Sequence, residues 1–171
     1  MLRQEEAPGR SLADFVPPEG TGPFGLFAVS VHGHAHPEGC DCDTCHPDYD
    51  SLMERAVRVT LAEAASTWLD RRLEAWLPAG ARIAKPAAGY ASCPDHSLKR
   101  DILRLLPEDI GITLTESCAM KPEASICGFI VLHPEAGYPE IRHIGPGQYD
   151  RYAAARGFSP EEARTFLSHL L

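Results

Sequence analysis

The chain lacks any apolar run approaching the roughly 20 residues that cross a bilayer. Its opening, MLRQEEAPGR, has no apolar core of a secretory signal. It also lacks an excess of base. Lys and Arg number 16 against 24 Asp and Glu, for a net charge of −8. A nucleic-acid surface needs a basic stripe and anionic lipid needs a polybasic patch, so neither nucleic acid nor membrane is expected as a partner. With no signal for export, the six Cys read as cytoplasmic thiols or ligands and not as a disulfide framework. One glycine fingerprint, Gly20-Thr-Gly-Pro-Phe-Gly25, precedes a strand instead of following one, and Pro23 blocks a helix start. The strand–glycine–helix order of a dinucleotide site is therefore missing.

What is present is an ordinary globular composition. The 171 residues are 44% hydrophobic and 23% charged, enough for one domain with a buried core. Residues 1–23 are rich in Pro, Gly and Glu around the apolar patch Leu12–Val16; a flexible start over about 1–11 and one anchored turn are expected. Phe24–Val31, Gly111–Ser117, Ile126–His133 and Tyr138–Ile144 read as strands. Asp48–Trp76 is the strongest helix, with Met53, Val57, Leu61, Ala64, Trp68 and Ala75 on one apolar stripe, widened by Leu69, Leu73 and Trp76, expected to face the core. Pro94–Leu106 and Gly147–Arg156 are further helices, the latter stopped by Gly157. Ser159-Pro-Glu-Glu162 spells a capping box that opens a last helix. The order of elements predicts an α+β fold: a twisted antiparallel sheet with a long helix and several shorter ones in a single domain.

One segment, 32–47, has a composition of its own. His32, His34, His36, Cys40, Cys42, Cys45 and His46 crowd into it. Imidazole and thiolate suit zinc or iron, so these seven are candidate ligands of a structural metal staple. The alternative is an acidic loop with reactive thiols. Cys93, at the entry of the Pro94–Leu106 helix, is expected to have a lowered pKa there.

The densest signal runs from Lys85 to Gly128. It contains Lys85-Pro-Ala-Ala-Gly-Tyr90, Cys93-Pro-Asp-His96, Thr115-Glu-Ser-Cys-Ala-Met120 and Ala124-Ser-Ile-Cys-Gly128. In that order, with Leu12-Ala-Asp-Phe15 upstream, these words resemble the activation (reactivation) domain of cobalamin-dependent methionine synthase, which binds S-adenosylmethionine. The resemblance implies that Asp14 meets the cationic amino end of the ligand. It places Lys85, where the family has Arg, at the ligand carboxylate. Gly89, Tyr90 and Ser92 would supply close backbone approach and an aromatic face, Glu116 the cleft wall, and Tyr138 with Pro139 the position of the family's aromatic pair. No side chain is required as acid or base.

The implied role is to support reductive remethylation of cob(II)alamin. Cobalamin would be held by a partner domain or protein, because this chain has no Asp-x-His-x-x-Gly. A flavodoxin-like or other reductant would supply electrons. Lys85 for Arg and Cys118 for an aromatic depart from the family pattern. Lys85 and the His/Cys segment keep open an alternative: a non-enzymatic metal-binding or docking module that keeps this fold but has lost the ligand.

Overall fold

A computed structural model describes residues 1–5, 9–16, 24–33, 49–77, 80–107 and 109–171. Strand β1 (Phe24–Ser30) is followed by helix α1 (Tyr49–Glu74), strand β2 (Arg82–Ala84) and helix α2 (Leu98–Leu105). A short hairpin, β3 (Thr113–Leu114) and β4 (Met120–Lys121), leads into strand β5 (Ser125–His133). Helices α3 (Pro146–Arg156) and α4 (Pro160–Leu167) follow. The main sheet is antiparallel with order β1-β5-β2, Phe24 opposite Val131 and Arg82 opposite His133. The α+β fold expected from the sequence is therefore present.

β5 is central because its residues can be buried on both sides. Cys127, Phe129 and Val131 face a cluster with Leu12, Phe15, Ala88, Cys93 and Ile102. Ile126 and Ile130 face Phe27 and Ala62 on the other side. Gly128 admits a close crossing: a Cβ there would lie 2.2 Å from the Pro86 carbonyl oxygen. The 86–88 segment thus runs against β5, with Phe129 N–H donating to Pro86 O at 3.0 Å and Ala88 N–H to Cys127 O at 3.0 Å. This places the Lys85–Tyr90 motif beside the sheet.

α1 packs on the sheet through Ala62, Leu69 and Leu73, with Ser66 also buried. Its helix-forming composition extends it over 26 residues; of the expected stripe, Leu69 and Leu73 face the sheet and the rest points outward. Met53, Val57, Leu61 and Trp68 are 46%, 53%, 51% and 61% exposed. The reason is close approach: Ala62 and Ser66 are small and let the helix axis sit near the sheet, which larger side chains would prevent. Among the described residues, no helix is long and apolar enough to cross a membrane.

Three further expectations are corrected. No strand forms over 138–144. Ile141 N–H donates to Ala91 O and Ile144 N–H to Leu170 O, both at 2.8 Å, so these amides are used by loop and C-terminal turn instead of a sheet. The start over 1–5 is anchored: Leu2 is buried, Gly145 N–H donates to Glu5 Oε2 at 2.8 Å, and Arg142 N–H to Gln4 Oε1 at 2.6 Å. The helix expected from Pro94 begins only at Leu98, after turns that wrap Asp95.

Asp95, 1% exposed, organises that entry. It accepts from Ser97 N–H and from the Tyr152 hydroxyl, both at 2.8 Å, and Arg156 Nε lies 3.6 Å away. Burial first, and the Asp95 charge second, raise the Tyr152 hydroxyl pKa well above its ordinary value. This joins α2 to α3. The capping box of α4 forms as expected, with Ser159 Oγ accepting from Glu162 N–H and Glu162 reaching back to Ser159 N–H. Gly157, at φ 67°, ends α3 in the left-handed conformation.

Candidate functional site

The cleft bordered by the Lys85–Ser92 motif has a volume of about 430 Å³. Its floor is Phe27 and Ile126 of the sheet. One wall is the polar face of α1, from Glu63 through Ser66 and Thr67 to Asp70. The opposite side carries Tyr90, Ser92, Tyr138 and Glu140. Tyr90 and Tyr138 are each 59% exposed, so their rings stand at the mouth. Gly89 has a φ of +96° and packs against the His96 ring, where a Cβ would lie 2.6 Å from Cε1. Only glycine makes that turn and brings Tyr90 round to the cleft.

Lys85 is the buried charge of the site. Its Nζ donates to the Ser66 carbonyl, to Ser66 Oγ at 2.7 Å and to Asp70 Oδ1 at 2.8 Å. It also lies 4.9 Å from the centre of the Phe27 ring. Three ammonium protons therefore have three partners on α1. The Lys85 backbone N–H donates to the Tyr138 hydroxyl at 2.9 Å, which links the two sides of the cleft.

Of the residues expected from the sequence, Lys85, Tyr90, Ser92 and Tyr138 line this cleft together. Gly89 and Pro139 adjoin Tyr90 and Tyr138 in the chain but do not line it. Asp14 lies outside it. It sits in a 3-10 turn (Leu12–Phe15), where its carboxylate caps Ser11 N–H at 2.9 Å and pairs with the Arg3 guanidinium. That ion pair, chiefly through its hydrogen bonds, holds Asp14 below the usual carboxylate range. Glu116 is also outside, on an exposed turn whose backbone carbonyl accepts from Arg100 at 3.1 Å.

Sequence reasoning missed Glu63, Ser66 and Asp70. Their spacing of three and four residues puts them on one face of α1, but the helix carries charged residues at many other positions as well, so the pattern gave no distinct signal.

Cys93 is 3% exposed, and burial pushes its thiol up to about 12, the reverse of the lowering expected at a helix entry. Of the candidate metal ligands, His34, His36, Cys40, Cys42, Cys45 and His46 lie outside the described residues. His32 is described, and its Nε2 lies 3.0 Å from the Ile110 carbonyl oxygen. Among the described residues no cluster of three or more His, Cys, Asp or Glu is placed to hold a metal ion.

Comparison with known proteins gives the chain's family. A crystal structure of the MetH reactivation domain bound to AdoHcy matches with a TM-score of 0.64 and 30% sequence identity. The match covers 75% of this chain and 45% of that one, so the present chain spans less than half the length of the solved relative. The family model of the vitamin B12-dependent methionine synthase activation domain matches residues 1–157. The chain belongs to the family of vitamin B12-dependent methionine synthase activation domains.

Proposed function

We propose that the chain binds S-adenosylmethionine in the cleft between α1 and the Lys85–Ser92 segment, and that it supports reductive remethylation of cob(II)alamin carried by a partner. The observation that carries this reading is the convergence of Lys85, Tyr90, Ser92 and Tyr138 on one 430 Å³ cleft that also holds the carboxylates of Glu63, Asp70 and Glu140. A sulfonium ligand with an ammonium group is a cation, and it needs acids and π-faces. Tyr90 and Tyr138 offer faces at the mouth, where a flat adenine can stack. The solved relative, bound to AdoHcy, supports the same ligand class.

The bound ligand supplies a methyl group activated by its sulfonium. The chain's own work is to orient that group toward a docked cobalamin and to keep it there. One electron from a flavodoxin-like or other reductant and one methyl group together restore methylcobalamin, with AdoHcy as product. The site of action is the cytoplasm.

A second reading is favoured by one observation. Lys85 already spends its donors on Ser66 and Asp70. On that reading the chain is a docking or metal-binding module, with zinc or iron at the His/Cys segment and no methyl donor. Isothermal titration with S-adenosylmethionine separates the two. Saturable heat, weakened in Tyr90→Ala and Tyr138→Ala, supports the first. No saturable heat, together with stoichiometric metal by elemental analysis, supports the second and sinks the first.

A further inference from the structure

A second cleft, of about 520 Å³, shares no lining residue with the first. It lies between α1, α2, the β3–β4 hairpin and α4, and Arg55, His96, Lys99, Ser117 and Thr165 are among its walls. Lys99 is 6% exposed. Its ammonium donates to Cys118 O at 3.1 Å and to His96 Nδ1 at 2.9 Å. An ammonium has three donors and no acceptor, so one proton lacks a partner among the described residues. No carboxylate of those residues pairs with it either, in contrast to Lys85.

The contact fixes His96 as well. Because Nδ1 accepts from Lys99, the ring proton of the neutral imidazole sits on Nε2, and that N–H has no protein acceptor among the described residues. Nδ1 and Nε2 point to opposite sides of the ring, so Nε2–H and the Lys99 ammonium do not meet at one point, and the free donor of the cleft is the Lys99 ammonium. The exposed guanidinium of Arg55 lies on the same wall, with its Nε on Glu123 at 2.6 Å. Glu123 also lines the cleft and is paired with Arg55, so Arg55, Lys99 and Glu123 together leave it one net positive charge on a chain whose net charge is −8. Burying a cation without a counter-ion is costly, and desolvation accordingly lowers the pKa of Lys99. An anion that enters the cleft removes the cost.

We propose that this second cleft is a binding site for a small oxyanion, phosphate or carboxylate, held by Lys99 Nζ with Arg55 at its edge.

The test is a titration of the full chain with sodium phosphate, sodium acetate and sodium chloride at matched ionic strength. The binding readout is the set of NMR resonances of His96 and Lys99; the stability readout is the thermal midpoint. Saturable shifts with phosphate or acetate, a Kd on the order of 1 mM and a rising midpoint are expected; the stronger of the two identifies the oxyanion class. Chloride should give only a linear drift. Lys99→Met should abolish the response while leaving the ligand-free midpoint equal or higher, since an unpaired buried charge is replaced by a matched apolar chain. Arg55→Glu, on an exposed position that does not threaten folding, should weaken binding about tenfold. If both oxyanions merely reproduce the chloride drift, the site does not exist. A saturable response that persists unchanged in Arg55→Glu overturns the assignment, whether or not Lys99→Met folds.

Discussion

Replacing Asp70 by Asn isolates the carboxylate that neutralises Lys85. The Lys85 side chain is 5% exposed and the Asp70 side chain 42%, and their charges approach to 2.8 Å. At that separation a unit pair is worth about 6 kcal/mol at an effective dielectric of about 20 and about 1.5 kcal/mol in bulk water. The exposure of Asp70 moves the pair toward the watery limit. Asn also preserves an oxygen that can accept from Nζ, and Ser66 retains both of its bonds. The net loss expected is about 1–3 kcal/mol, or roughly 3–8 °C in midpoint for a chain of this size. Urea and thermal unfolding followed by circular dichroism at low salt would measure it. An Asp70→Asn protein within about 0.5 kcal/mol of the parent would refute the reasoning, because the buried ammonium would then be indifferent to its counter-ion.

Lys85→Arg should bind S-adenosylmethionine about tenfold more tightly by calorimetry, since a guanidinium has five donors and can keep its α1 partners while offering a fork to a carboxylate; unchanged or weaker binding contradicts this. Asp14→Ala should leave that affinity within about twofold, because its carboxylate serves the 3-10 turn and Arg3, and should cost about 0.5–1 kcal/mol of stability. The thiols of Cys93 and Cys127 are raised by burial from an ordinary 9.0 to about 12 and about 11. The unfolded chain therefore loses these protons first, so stability is intact below pH 9 and falls as pH rises through about 11 and 12; a pH series of unfolding midpoints checks the sign. Asp95→Ala should cost about 2–4 kcal/mol, because it leaves the buried Ser97 N–H and the Tyr152 hydroxyl without their acceptor while Arg156 keeps Asp101 at 2.6 Å; a loss under about 1 kcal/mol would show that the α2–α3 link is dispensable.

The sequence made the lower half of the fold legible where local chemistry is decisive. Ser159 and Glu162 cap α4, Gly157 stops α3, and the apolar run of β5 pairs as a central strand, all through short-range rules. The 138–144 stretch shows the limit. Its alternation suits a strand, but the partners of Ile141 and Ile144 are backbone atoms about 50 and 26 positions away, and no local pattern announces them. α1 failed differently. The periodic stripe centres on Met53, Val57, Leu61 and Trp68, and only its Leu69–Leu73 flank meets the sheet, because Ala62 and Ser66 carry little hydrophobic signal yet pack there. In the site, rare words such as Lys85–Tyr90 found the cleft, whereas Asp70 and Ser66 were hidden in a helix read as scaffold. Asp14 matched a family word and still went to Arg3, since a nearby guanidinium and an open N-cap satisfy a carboxylate locally.

The outward turn of α1 means that Met53, Val57, Leu61 and Trp68 contribute little to holding the native state together. About half of each side chain stays hydrated in the folded chain, so Lys or Glu at these positions would cost folding little and would keep concentrated solutions clearer. Retention of such side chains in this chain is therefore a matter separate from the forces that fold it.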